Sequence, residues 1–324
     1  MTANARQTVG GNLHRSSRGR WHQGCVLVAA AVAVLAALVL PPLSLEQQFW
    51  IILVPVAVFG LSHGGADPLI LKRLTGNRPG TMPYALTAYS AAVLGFVGLI
   101  WFFPVLALFV FLMLSIWHFG FTDTAYLSSS RNSLLIWVSG SLTVLGPMIG
   151  HPEQTSELFA WLVNRETETV LAVVTIAGPV LASLWLVAFG TLVWRHNDHL
   201  AARVFTELVL VAAAMILLPP LLAFTFYFCI VHSIRHFLSI AEYRLGEAEF
   251  RQVVRFLLRK SAPATLGAIA IALVAWGALV VWSPASSLLV EGVRVMFWGL
   301  AALTVPHGFV VKMWWDRPVN APGG

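Results

Sequence analysis

The hydrophobic positions of this 324-residue chain do not alternate with polar ones; they run together. Apolar stretches fall at about 24–42, 48–70, 82–103, 105–122, 133–150, 169–194, 204–218, 221–242, 263–282 and 292–313, with most of the charge in the short segments between them. A helix needs roughly twenty apolar residues to cross a hydrocarbon core of about 30 Å, and most of these stretches approach that length. Strands of a membrane barrel would read as alternating segments of about ten residues, and the chain has none. The pattern predicts an all-α, polytopic transmembrane helix bundle of about ten spans. Between spans, 247–260 sets Phe250, Val253, Val254, Leu257 and Leu258 at helical spacing with arginines among them, so it is expected to lie in the membrane interface. The stretch 153–164 is expected to do the same on the opposite side.

Composition agrees with this pattern. Charged residues are 10% of the chain and hydrophobic ones 58%, with mean hydropathy +0.79; soluble domains carry about a quarter charged residues. The net charge of +6 would suggest nucleic acid in a soluble protein. Here the basic residues sit between spans, where they set orientation instead. Arg15, Arg18 and Arg20 place the amino terminus inside. Alternation then puts Lys72, Arg73, Arg78, Arg131, Arg195, Arg203, Arg244, Arg251, Arg255, Arg259, Lys260, Lys312 and Arg317 on that side, and only Arg165 and Arg294 on the other. Both termini are therefore expected in the cytoplasm, with a basic disordered tail over 1–22, one membrane domain over 23–315 and a short tail over 316–324. Cys25 and Cys229 lie in apolar runs and read as small core residues.

Histidines carry the candidate chemistry. His63, His118, His232, His236 and His307 lie within spans two, four, eight and ten, all running from outside to inside. Ionisable groups at membrane depth are costly and face the bundle interior. His63 precedes Lys72 by nine residues, His118 precedes Asp123 by five, His236 precedes Arg244 by eight and His307 precedes Lys312 by five. At a rise of about 1.5 Å per residue these offsets put the rings near one depth on the cytoplasmic side. His232 and His236 (HSIRH) are four apart, on one helix face, as two ligands of one ion would be. Asp67, in HGGAD, falls one turn after His63 if the glycines leave the helix intact. From there it could bind the free ring nitrogen of a ligand histidine or pair with Arg235. Asp123 reads as a helix-end residue. Gly64, Gly65, Gly120 and Gly308 follow histidines and let helices approach. An all-imidazole set leaves Fe, Zn and Cu open; four histidines with one or two free positions suit iron with dioxygen, and five at depth are too few for an eight-histidine di-iron site.

Taken in order, HGGAD, WHFGFTD, HSIRH and VPHG resemble the Brp/Blh family of membrane β-carotene 15,15′-dioxygenases, over about residues 50–313. The resemblance implies cleavage of the central double bond of β-carotene by dioxygen at Fe(2+), giving two molecules of retinal, which such proteins often supply to a microbial rhodopsin. It carries the four iron histidines onto His63, His118, His232 and His236. His307 matches the later Pro-His motif, as a fifth ligand, a supporting group or a packing residue. Such an enzyme would sit in the plasma membrane of a bacterial or archaeal cell and take its apolar substrate from the lipid. The site would then need an aromatic-lined tunnel, with Trp117, Phe119, Phe121, Phe226, Tyr227 and Phe228 as candidate walls and the Tyr227 hydroxyl as a group able to orient oxygen. Two other readings stand beside this one: a histidine-ligated membrane metalloenzyme acting on a different lipid, and a metal or proton transporter. The apolar outer halves of the histidine-bearing spans count against the transporter.

Overall fold

The computed structural model describes residues 16–76, 80–128, 132–195, 202–245 and 250–317. Every regular element among them is helical: α1 (Ser17–Val39), α2 (Leu45–Leu74), α3 (Thr81–Phe102), α4 (Pro104–Tyr126), α5 (Ser133–Gly150), α6 (Pro152–Val163), α7 (Thr167–Arg195), α8 (Ala202–Leu217), α9 (Pro220–Ala241), α10 (Phe250–Trp282) and α11 (Leu288–Trp315). All but α6 and α8 are long and apolar enough to span a bilayer, and the apolar part of α8, Val204–Leu217, matches the short seventh stretch read from the sequence. The chain is an all-α polytopic bundle.

Two boundaries differ from expectation. Helix α1 begins at Ser17, because the Ser16 hydroxyl accepts the Gly19 N–H at 2.9 Å and caps its first turn. Residues 17–22 of the expected tail are thus helical, and His22 is buried with Nε2 3.1 Å from the Ile230 carbonyl. Residues 1–15 of that tail, the segment 318–324, Arg78 and Arg131 lie outside the described residues. From Phe250 the expected interfacial segment is the leading part of α10, which runs through Pro263 to Trp282 without a break. In hydrocarbon an interrupted helix strands backbone polar groups, so continuing it is the cheaper solution. The segment 153–164 does form a separate short helix, α6, closed by Asn164 in the left-handed conformation.

Small residues set the tightest crossings, as expected where lipid removes the hydrophobic drive between helices. A Cβ at Gly120 would meet the Ile136 carbonyl oxygen at 2.0 Å, and one at Gly140 the Ile116 carbonyl oxygen at 1.9 Å, so α4 and α5 cross in backbone contact. Gly146 and Gly150 give α5 the same closeness to α8 at Met215 and Ile216. Arg294, on the side that sequence charge disfavours, is held by Glu291 at 2.7 Å and by the Trp161 carbonyl at 2.8 Å, which ties α11 to α6.

Apolar side chains fill a larger cluster around Phe49, Leu142, Met215 and Leu221, and a smaller one around Ile70, Ile240, Val311 and Trp315. The five intramembrane histidines lie where these clusters meet. Phe119 of the larger cluster packs on His232, and Trp314 of the smaller one on His236.

Candidate metal centre

Four helices deliver the five rings, and two of those helices are irregular where they do so. In α2, Pro55 lacks the N–H that would continue the ladder, and the helix widens into a π segment, Val56–Gly60, one turn before His63. In α9 a second π segment, Phe226–Ser233, contains His232, and α-helix resumes at Ile234. The Ser233 hydroxyl donates to the Phe228 carbonyl at 2.7 Å, covering a backbone acceptor in the widened turn. Such π segments are rare and collect at functional sites. Here they pack on each other: Cys229 Sγ points to the Pro55 carbonyl at 3.5 Å, and a Cβ at Gly60 would meet the Phe228 ring at 2.5 Å.

The rings converge. His63 lies 5.2 Å from His232, 5.6 Å from His236 and 4.8 Å from His307, measured between ring centroids. His118 is 4.9 Å from both His232 and His307, and His236 is 5.2 Å from His307. All five are buried, with His63 the most accessible at 7%. One donor atom each from His63, His232 and His307 lies within 4.8 Å of the others, and Asp67, His236 and His307 form a second such set.

Hydrogen bonds decide which nitrogen faces inward. His63 Nδ1 meets the Gly60 carbonyl, and His307 Nδ1 meets Asp67 Oδ1 at 2.8 Å. A carbonyl and a carboxylate only accept, so Nδ1 carries the proton in both rings and Nε2 keeps the free lone pair. On the third ring, His232 Nδ1 sits 3.3 Å from Thr122 Oγ1 and 3.4 Å from Asp123 Oδ1. Thr122 already donates to the His118 carbonyl at 2.9 Å, so it too accepts from His232. That leaves Nε2 of His232 and His307, and both nitrogens of His118 and His236, buried without a hydrogen-bond partner. Buried polar atoms are almost always paired. Unpaired nitrogens on His232, His236 and His307, each a member of a donor set, fit a cation; His118 belongs to neither set, although its ring lies beside His232 and His307.

The surroundings are organised in the same sense. Asp67 holds His307 with one oxygen and accepts the Tyr89 hydroxyl on the other at 2.8 Å. A cavity of about 150 Å³ reaches His63 and His307 from between α3 and α10, past Leu86, Tyr89 and Ala268. Those two helices bury little of their surface in the bundle, so the opening lies on its outer face between two candidate membrane spans. Behind His232, Asp123 shares a small pocket with Tyr227 and with Arg235, which is ion-paired to Glu207 inside the protein.

Several expectations are revised. The helix does not stay intact through HGGAD: it turns at Gly65–Ala66 and restarts at Asp67, with Pro68 in the new first turn. The turn lets α10 approach, since a Cβ at Gly65 would meet Thr265 Oγ1 at 2.5 Å, whereas one at Gly64 would meet nothing within 4 Å. Asp67 therefore serves His307, and Arg235 pairs with Glu207 instead. Asp123 is more than a helix-end residue, since it faces His232. Tyr227 lines the pocket behind His232, on the side of Asp123 and Arg235. Of the candidate wall aromatics, Phe119 and Phe228 touch histidine rings, while Trp117 and Phe121 stack on each other at 5.6 Å. Tyr89 and Glu207 went unnoticed, because neither stands near a histidine in sequence.

With this geometry established, comparison with known proteins identifies the family. The model of the β-carotene 15,15′-dioxygenase family matches residues 54–315. The chain belongs to that family. It is 30% identical to the probable β-carotene 15,15′-dioxygenase Blh of Halobacterium salinarum, across 90% of each chain. It is 28% identical to the β-carotene 15,15′-dioxygenase of an uncultured marine bacterium, across 81% of this chain and 92% of that one. No solved structure matches it. All four histidine-bearing motifs fall inside the matched region, and membership makes the chain an oxidoreductase.

Proposed function

We propose that this protein cleaves the central 15,15′ double bond of β-carotene with dioxygen, yielding two molecules of retinal, at an Fe(2+) held by His63, His118, His232 and His236 with His307 as a fifth ligand. The observation that carries the reading is the meeting of five buried imidazoles, four of which present nitrogens with no other partner. Bound iron supplies oxygen activation. The reaction balances with one dioxygen and no external reductant: the double bond breaks and each carbon leaves as an aldehyde.

The chain's own residues do the remaining work. Gly60, Asp67 and Thr122 hold His63, His307 and His232 by Nδ1 with Nε2 inward, as hydrogen-bond partners of ligand histidines do, while Asp123 stands 3.4 Å from His232 as a nearby charge. Five neutral imidazoles bring no charge, so Asp67 and Asp123 together balance a divalent ion inside a low-dielectric bundle. Apolar walls exclude water, and the opening toward lipid admits a substrate that dissolves nowhere else. With α8 as a short tenth crossing, the charge pattern of the connecting segments supports a cytoplasmic position for both termini and for the iron, in a bacterial or archaeal plasma membrane. Retinal released into the same bilayer is available to a microbial rhodopsin.

Expression in a bacterium that accumulates β-carotene tests the reading. Orange colour should fade as retinal appears, the purified protein should hold about one iron per chain, and Ala at His63, His118, His232 or His236 should abolish retinal formation. Persistent orange colour around well-expressed, iron-loaded protein would transfer the site to a different lipid substrate.

A further inference from the structure

A second apolar cavity, of about 80 Å³, lies on the other side of the aromatic residues that flank the histidines. Phe119, Phe224 and Phe297 line it, and it extends along α4 and α5 past Leu112 and Val144 toward α6. Phe228 lines the first cavity and stacks on Phe224 of the second, with centroids 5.1 Å apart and planes 23° apart. On α11 the same hand-over occurs within one turn: Phe297 faces the second cavity and Leu300 the first. The stacked Phe224–Phe228 pair is thus part of the partition. It stands over the histidine cluster, with Phe228 5.1 Å from His63 and Phe119 4.6 Å from His232.

Resting on the dioxygenase reading, we infer that the two cavities are the two arms of one carotenoid channel, joined at the Phe224–Phe228 pair. Each arm receives one half of the substrate, and the bond between the halves lies across the histidine cluster. Joined, the two cavities amount to about 230 Å³, nearer than either alone to the roughly 300–1,000 Å³ of sites for drug-sized ligands but still below it. Chemistry agrees, because the second arm is lined largely by apolar side chains and the first is mostly apolar away from His63, Asp67, Tyr89 and His307, as an unfunctionalised hydrocarbon reaching a metal requires. Placement agrees as well. A cleavage that yields equal halves needs room on both sides of the metal, and the seam between the arms falls there. On this inference Phe224 and Phe228 turn aside when the substrate enters.

Blocking one arm at a time tests this. Val144→Trp fills the arm beside α5, and Ala268→Trp fills the arm beside α10. Each variant is assayed on β-carotene and on a carotenoid cut short on one side of the central bond, whose intact half can use the open arm. Retention of β-carotene by the purified, iron-free protein, read from its visible absorption, reports binding separately. Either block should lower β-carotene cleavage and retention about tenfold or more relative to the shortened substrate, and the double block should remove both activities. Equal loss on both substrates with Val144→Trp and with the smaller Val144→Phe overturns the channel, as does no loss on either. A wild-type protein that cleaves neither substrate defeats the dioxygenase reading instead.

Discussion

The two carboxylates behind the histidine cluster are held in different ways. On the α11 side, Asp67 is fixed at both oxygens, by His307 at 2.8 Å and by Tyr89 at 2.8 Å. On the α9 side, Asp123 stands 3.4 Å from His232 in a pocket of about 10 Å³, close to a buried Arg235–Glu207 pair. The first arrangement is a directed chain that ends at the cavity wall; its role is to orient a ring. The second is a small pocket beside a buried ion pair, in which charge balance matters more than direction. One site thus solves two problems, aiming its ligands and neutralising a cation in hydrocarbon, with separate groups.

The largest effect should come from the buried ion pair beside Asp123. Removing one member of a buried ion pair leaves an uncompensated charge and costs roughly 3–5 kcal/mol. Glu207→Ala should lower the unfolding midpoint of detergent-solubilised protein markedly, and the double change of Glu207 and Arg235 to Leu should recover much of it. If Glu207→Ala unfolds like the wild type, the pair is not structural and the contrast between the two sides fails at its base.

Next comes the directed chain. Loss of a carboxylate behind a metal-bound histidine typically costs about 10–100-fold in metal affinity. Asp67→Ala should fall in the upper part of that range and Asp123→Ala near about tenfold, as read by iron titration. Asp67→Asn keeps an acceptor for His307 while removing the charge, so it should bind iron more tightly than Asp67→Ala. A larger loss at Asp123 than at Asp67 would invert the assignment of roles.

How much of this was readable in advance follows from the type of interaction. Spans came through almost intact, because twenty apolar residues in a row have one outcome in a bilayer; even the short α8 was visible as 204–218. The histidine cluster was readable by depth, since His63, His118, His236 and His307 each count a few residues to a charged helix end. The two π segments were not. Nothing in VAVFG or FYFCIVHS marks a widened turn, although Pro55 supplies a local cause for the first. The break at Gly65–Ala66 hid in a motif that can also continue a helix, and it decided that Asp67 would serve His307. Tyr89 and Glu207 were invisible for a simpler reason. Each meets its partner across many residues of chain, and no periodicity reports which face of α3 or α8 turns inward.

Tyr89 also offers the smallest and most discriminating change. Tyr89→Phe deletes one hydroxyl and little volume, and a net hydrogen bond is worth about 1 kcal/mol, or roughly fivefold in an equilibrium. If the hydroxyl only stiffens Asp67, iron affinity should fall by about that factor, and combining Tyr89→Phe with Asp67→Ala should add nothing further, because the second change has already removed what the first acts through. Tyr89 also lines the cavity beside His63 and His307, so the hydroxyl has a second possible target, the substrate or oxygen within it. In that case the double variant would lose more retinal formation than Asp67→Ala alone at saturating iron. The double variant therefore separates a residue that acts through a carboxylate from one that touches the reacting molecules.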